Sequence, residues 1–102
     1  MNADVRAAVL ARANGNCECC GISLVTFGGQ LDHFEGRKVA ETVENCWMLS
    51  VDCHYQKTQN IPSAAWWAGR FLKHQRKHGY DTSKTASKLA YAEAKLALAV
   101  KP

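Results

Sequence analysis

No stretch of this chain approaches the roughly 20 consecutive apolar residues that a membrane-spanning helix needs. The segment MNADVRAAVLARANG carries a charge every few residues and lacks the apolar h-region of a secretory signal. Both absences lead to the expectation of a cytoplasmic protein with no membrane partner. There is no internal repeat and no low-complexity linker, and the 102 residues are expected to form a single domain. A chain of this length buries only a modest core, so a staple such as a metal or a disulfide is expected to contribute. Acidic residues are missing between Cys53 and Tyr80, whereas Lys57, Arg70, Lys73, Arg76 and Lys77 all fall there. The formal net charge is a modest +4, but a patch of one sign draws in a polyphosphate and releases its condensed counterions. An ordinary solvated helix face has the same composition.

The cysteine count is five, which leaves at least one unpaired and suits metal ligands better than a disulfide framework in a reducing compartment. Around these cysteines the pattern is α+β. Asn2 or Asp4 caps a first helix to about Ala13, with Val5, Ala8 and Val9 on one face. Asn14-Gly15-Asn16 ends it, and a cysteine turn, Cys17-Glu18-Cys19-Cys20-Gly21, leads into a loop through Gly28-Gly29. Residues 30–34 and 46–50 read as short strands joined by a polar connection containing Gly36, Arg37 and Lys38. A short helix follows from about Asp52 to Gln59 and breaks at Asn60-Ile61-Pro62. Ser63 caps the next helix and Gly79 terminates it. The last helix runs from roughly Ser83 to Val100. Within the single domain this gives a first helix and cysteine knuckle (1–29), a central core (30–59) and two C-terminal helices (60–102).

The chemistry concentrates in the middle third. Asp32-His33 closes a short apolar run, Asn45 follows twelve residues after His33, and Cys53-His54 brings a second histidine nine residues later. Hydrolysis of a phosphodiester needs a base, a cation and rigid geometry. His33 is the candidate base, Asp32 and His54 the candidate ligands of one divalent cation, and Asn45 the residue that fixes the loop between them. One carboxylate, one imidazole and several waters suit Mg²⁺ or Mn²⁺, while Ni²⁺ or zinc favours the imidazole more. Neighbours in a strict strand point to opposite faces, so a bulge or bend is expected if Asp32 and His33 serve one site. Taken singly, each residue has a plainer role: a satisfied core or surface histidine, a loop carboxylate, an asparagine at a turn, a solvated helix lysine.

The segments LDHF and ENCWMLSVDCHYQKT resemble the HNH endonuclease family, and the likeness runs from Val5 to Thr58, about half the chain. The resemblance implies a ββα-metal (His-Me finger) core preceded by an N-terminal helix. It makes His33 the general base, Asp32 and His54 the cation ligands, and Asn45 the holder of the loop. Lys57-Thr58 matches a KT pair whose lysine meets phosphate. Many HNH proteins also carry a structural zinc on two CxxC knuckles. Cys17 and Cys20 fit the first, but the second is expected at positions 50 and 53, and position 50 is Ser50. Either Cys46 or Cys19 supplies a fourth ligand beside Cys17, Cys20 and Cys53, or water fills the place, or zinc is not held. In that last case the three thiols can still form a disulfide on oxidation.

Past Thr58 the residues speak for themselves. Trp67, Ala68, Phe71 and Leu72 form one helix face, and Trp66, Arg70, Lys73 and Lys77 another that suits a nucleic-acid backbone. On the last helix Leu89, Ala92, Leu96 and Val100 share one side, and Lys84, Lys88, Tyr91 and Lys95 another. The expectation is a metal-dependent endonuclease that hydrolyses DNA, with Lys57, Arg70, Lys73 and Lys77 on the substrate. A homodimer, and a partner from a phage or a restriction system, fit that reading. Two alternatives are a catalytically inactive nucleic-acid-binding module of the same fold and a zinc-knuckle protein-interaction domain.

Overall fold

The structure, a computed structural model, describes residues 3–36 and 40–99. Residues up to Tyr55 form one compact unit and those from Gln56 a second. The architecture is small and mixed α+β: one antiparallel two-stranded sheet with helices before and after it. No helix among the described residues is long and apolar enough to cross a membrane.

In the first unit, helix α1 (Ala3–Ala13) turns Val9 and Ala13 inward. They meet Cys46 and Met48 of the sheet, with Val5, Leu24, Leu31 and Val43 packed around them. Ala8, expected on that face, is exposed. The expected loop before the sheet contains a one-turn helix, α2 (Leu24–Phe27), whose Ser23 hydroxyl accepts the amide of Thr26. The cysteine turn between α1 and α2 closes on itself: the amide of Cys17 bonds to the carbonyl of Ile22 at 2.8 Å and that of Gly21 to Cys17 at 2.9 Å. Gly21 sits at φ +83°, where a side chain would be strained.

Strands β1 (Gly29–His33) and β2 (Cys46–Ser50) pair without interruption from Gly29 opposite Ser50 to His33 opposite Cys46. Every residue of β2 is buried. Helix α3 (Val51–Thr58) leaves β2 directly, so residues expected at the start of a separate helix are one turn from the sheet. Arg12 binds this unit together. Its guanidinium donates to both oxygens of Glu18, at 2.7 and 3.0 Å, and to the carbonyls of Val43 and Cys46, each at 2.7 Å. Glu18 in turn accepts the Met48 amide at 2.9 Å, while its own amide donates to the Met48 carbonyl at 2.8 Å. A buried charge is tolerable only when matched and hydrogen-bonded in this way.

In the second unit, α4 (Ala64–His78) packs against α5 (Ser83–Ala99). Ser63 caps α4 by accepting the amide of Trp66 at 3.1 Å, and Gly79 ends it in the left-handed region, both as the sequence predicts. The expected face of Trp67, Ala68, Phe71 and Leu72 is buried and is joined by His74 and Gln75. On α5 the inward residues are Thr85, Leu89 and Ala92. Leu96, expected among them, is 48% exposed, and Val100 lies outside the described residues.

Candidate cation and base site around the β-hairpin

The unbroken pairing of β1 decides the geometry. Side chains alternate across a strand, and no bulge interrupts the register at its end. Asp32 therefore stands on the face with Trp47, its cross-strand partner, and His33 on the face with Cys46. The bend expected to bring both side chains to one side of the strand is not there.

On the Asp32 face, the carboxylate is buried and its Oδ2 accepts the indole Nε1–H of Trp47 at 2.9 Å. Hydrogen bonds to a charged group contribute about 1.5–3 kcal/mol each, and this one fixes the carboxylate plane. Oδ1 lies 3.7 Å from Nε2 of His54, which the first turn of α3 brings across the hairpin. That separation is too long for a hydrogen bond. It falls within the roughly 3.0–4.2 Å expected between two donor atoms that each sit about 2.1 Å from a shared cation. The pair thus fits a divalent ion by its spacing and its donor chemistry.

On the other face, Nε2 of His33 is 2.6 Å from Oε1 of Glu41, and Nη2 of Arg6 approaches the same oxygen at 3.8 Å. The ligand atoms of His33, Glu41 and Cys46 lie within 4.8 Å of one another. Burial pushes the Cys46 thiol up, and the charge of Glu41 adds to the push. Arg6 also lines a cleft of about 540 Å³ together with Leu10, residues 29–31 of β1 and His54.

Asn45 clasps the loop that joins the strands. Its Oδ1 accepts the Glu35 amide at 3.2 Å and its Nδ2 donates to the Ala40 carbonyl at 3.5 Å. Its own amide bonds to the carbonyl and hydroxyl of Thr42, each at 3.2 Å, and its carbonyl accepts the Phe34 amide at 2.9 Å. A buried asparagine with all its groups engaged makes a rigid frame on both sides of the loop. Arg37 and Lys38 lie outside the described residues.

The cysteine turn supplies a second candidate centre. The sulfurs of Cys17, Cys20 and Cys53 lie within 4.8 Å of one another. Burial pushes the Cys17 thiol up, but the amides of Cys20, Ser50 and Cys19 and the side chain of Cys20 outweigh it and bring it down to about 7. Burial, opposed by the Ser50 hydroxyl and reinforced by Cys20, Cys17 and Cys19, pushes Cys53 up to about 12. A sulfur wrapped in backbone amides beside two more thiols suits a thiophilic cation such as zinc. Neither Cys46 nor Cys19 joins the trio: Cys46 sits with His33 and Glu41. The Ser50 hydroxyl is turned toward α3, where it accepts the Cys53 amide at 3.2 Å.

Among the basic residues, Lys73 and Lys77 are exposed one turn apart on α4, and Lys57 is half-buried on α3. Arg70 is drawn over the ring of Trp66, 5.1 Å from its centroid, so the two form a cation–π pair on the helix surface. Arg6, Arg12, Glu18, Glu41 and Trp47 also hold this region together, and no sequence motif singles them out. Only Trp47 left a signal, since it follows Asn45 by two residues inside the quoted segment. The others act through contacts distant along the chain, which no local pattern encodes. Comparison with protein-family models, with curated proteins and with solved structures gave no match.

Proposed function

We propose that this chain is a metal-dependent endonuclease of the HNH type that hydrolyses nucleic-acid phosphodiester bonds, DNA in the first instance. The observation that carries the reading is the approach of His54 to Asp32 at 3.7 Å, across a hairpin whose loop is clasped by Asn45. The order of elements, two antiparallel strands and then a helix, supports the finer reading of this region as a ββα-metal core.

A divalent cation bound by Asp32 and His54 would supply positive charge to the scissile phosphate and to the oxygen that leaves it. Trp47 keeps the Asp32 carboxylate fixed through its indole N–H. His33 takes the proton of the attacking water, and it stands at the end of β1 where the chain turns, its carbonyl accepting the Gly36 amide at 2.9 Å. Lys73 and Lys77, with Arg70 and Lys57, offer charge to backbone phosphates without reading sequence. The Cys17–Cys20–Cys53 trio would hold a structural zinc through its three sulfurs, and the ion would staple the cysteine turn to α3.

The second reading, a nucleic-acid-binding module without catalysis, draws on the regular strand that sends Asp32 and His33 to opposite faces. A supercoiled-plasmid assay separates the two. Nicking that requires Mg²⁺, Mn²⁺ or Ni²⁺, stops with EDTA and is lost in a folded His33→Ala variant is the expected result. Salt-dependent DNA binding with no nicking under any of these cations favours the binding module.

A further inference from the structure

The group of polar side chains on the His33 face of β1 has no part in holding the cation, yet it is the tightest polar contact around the candidate base. Nε2 of His33 and Oε1 of Glu41 are 2.6 Å apart, and both side chains are largely buried, at 11% and 14% exposure. A nitrogen and a carboxylate oxygen at that distance share a proton. A carboxylate accepts, so the proton belongs to Nε2, and in the neutral ring the lone pair is then on Nδ1. Glu41 has a second cationic neighbour in Arg6, whose Nη2 is 3.8 Å from the same oxygen. The Arg6 Nε is buried with no hydrogen-bond partner among the described residues. Beyond Glu41, that guanidinium lines the cleft shared with His54. Glu41 itself belongs to the loop that Asn45 clasps, so its position is tied to the same frame as the strand end.

We propose that Glu41 is the positioning residue of His33, fixing the imidazole as the Nε2–H tautomer with Nδ1 as its basic nitrogen, and that Arg6 steadies the Glu41 carboxylate from α1. This rests on the nuclease reading for its catalytic meaning, but the hold of Glu41 on the ring is a property of the protein alone. Cys46, the third group beside this oxygen, is buried and its thiol is pushed up, so it adds no competing anion. The arrangement joins three residues from three places in the chain, α1, the hairpin loop and the end of β1, through one hydrogen bond, between His33 and Glu41, and one longer ion pair, between Glu41 and Arg6. Glu41 has no direct contact with substrate in this scheme. It acts through the ring it orients.

The test compares the full-length parent with Glu41→Ala and Glu41→Gln, using two readouts. Long-range ¹⁵N–¹H spectra of the imidazoles report which nitrogen of His33 carries the proton, with His33→Ala assigning the signals. Plasmid nicking with Mn²⁺ gives kcat and KM. A mispositioned general base forfeits part of the roughly 10²–10⁴-fold that such a group supplies, so Glu41→Ala is expected to lose about 10- to 100-fold in kcat with KM little changed. Its His33 should also lose the preference for Nε2–H. Glu41→Gln keeps an acceptor oxygen and is expected to restore the tautomer and part of kcat, which a merely structural loss would not show. A Glu41→Ala protein that nicks at the parent rate, or whose His33 keeps the parent tautomer, overturns the proposal. If the parent does not nick DNA at all, the nuclease reading fails, and the tautomer comparison still decides whether Glu41 holds the ring.

Discussion

Asp32 and His33 are adjacent in the chain and live in different surroundings. Asp32 is held by an indole N–H and faces an imidazole at the spacing of a cation pair. His33 is held by a carboxylate that an arginine also approaches, and sits beside a buried thiol. One side of β1 thus sets a carboxylate opposite an imidazole, which is the side proposed to hold a cation. The other sets a carboxylate on His33, the residue proposed as base. The difference teaches that neighbours in an unbroken strand take their surroundings from opposite faces, so adjacency in the chain does not place Asp32 and His33 in one environment.

The comparison breaks most sharply at the cation side. Asp32→Asn keeps an oxygen to accept from Trp47 but removes the charge, and His54→Ala removes the nitrogen donor. Each is expected to lower nicking by about 10²–10⁴-fold and to abolish Mn²⁺ binding followed by calorimetry. Trp47→Phe leaves the ligands in place, removes the N–H that orients Asp32 and trims a fully buried ring. A loss of about 10–100-fold in cation affinity is expected, with about 1–3 kcal/mol of unfolding free energy from the lost hydrogen bond to a buried carboxylate. The His33–Glu41 tautomer should be untouched by this change, and a tautomer shift in Trp47→Phe would dissolve the division between the faces.

A third prediction concerns the thiols, apart from both faces. The Cys17 thiol is brought down from 9.0 to about 7, so its contribution to stability is fully present above 9 and is lost as pH falls through about 7. Cys53, pushed up to about 12, has the opposite sign and costs stability as pH rises above 9. An ultraviolet thiolate titration of the folded, metal-free protein should show a step near 7 that Cys17→Ser removes and Cys53→Ser does not abolish. Zinc added at neutral pH should release protons and raise the melting temperature, and both effects should vanish in Cys17→Ser. The smallest effect is expected at α4, where Lys73→Ala and Lys77→Ala should each reduce the salt slope of DNA binding by about 1 while leaving Mn²⁺ affinity alone.

Much of this fold was legible because its signals are local. Ser63 and Gly79 bracket α4 through cap chemistry that needs only neighbouring residues. The buried faces of α1 and α4 follow helical spacing, and β2 was placed residue for residue. The sequence could also name Asp32, His33, Asn45 and His54 as a set. It could not say how they divide. That depends on whether β1 is bulged, and a bulge is decided by pairing with β2, fifteen residues away at the Asp32–Trp47 pair. Glu41 and Arg6 were invisible for the same reason, since an isolated glutamate in a polar loop and an arginine on a helix carry no pattern. Helix α2 was missed because one turn is too short for periodicity to show. On α5 the apolar spacing continues through Leu96, but the burial stops at Ala92, and amphipathic spacing alone does not reveal where a partner surface ends.

The most direct measurement takes the parent and His33→Ala side by side, with Mn²⁺ affinity by calorimetry and plasmid nicking on the same preparations. If His33 is the base on one face and Asp32 with His54 the cation site on the other, the variant should bind Mn²⁺ within about twofold of the parent and nick at least about 10²-fold more slowly. Undiminished nicking by His33→Ala would contradict its role as base. A collapse of Mn²⁺ affinity in that variant would contradict the division of the two faces.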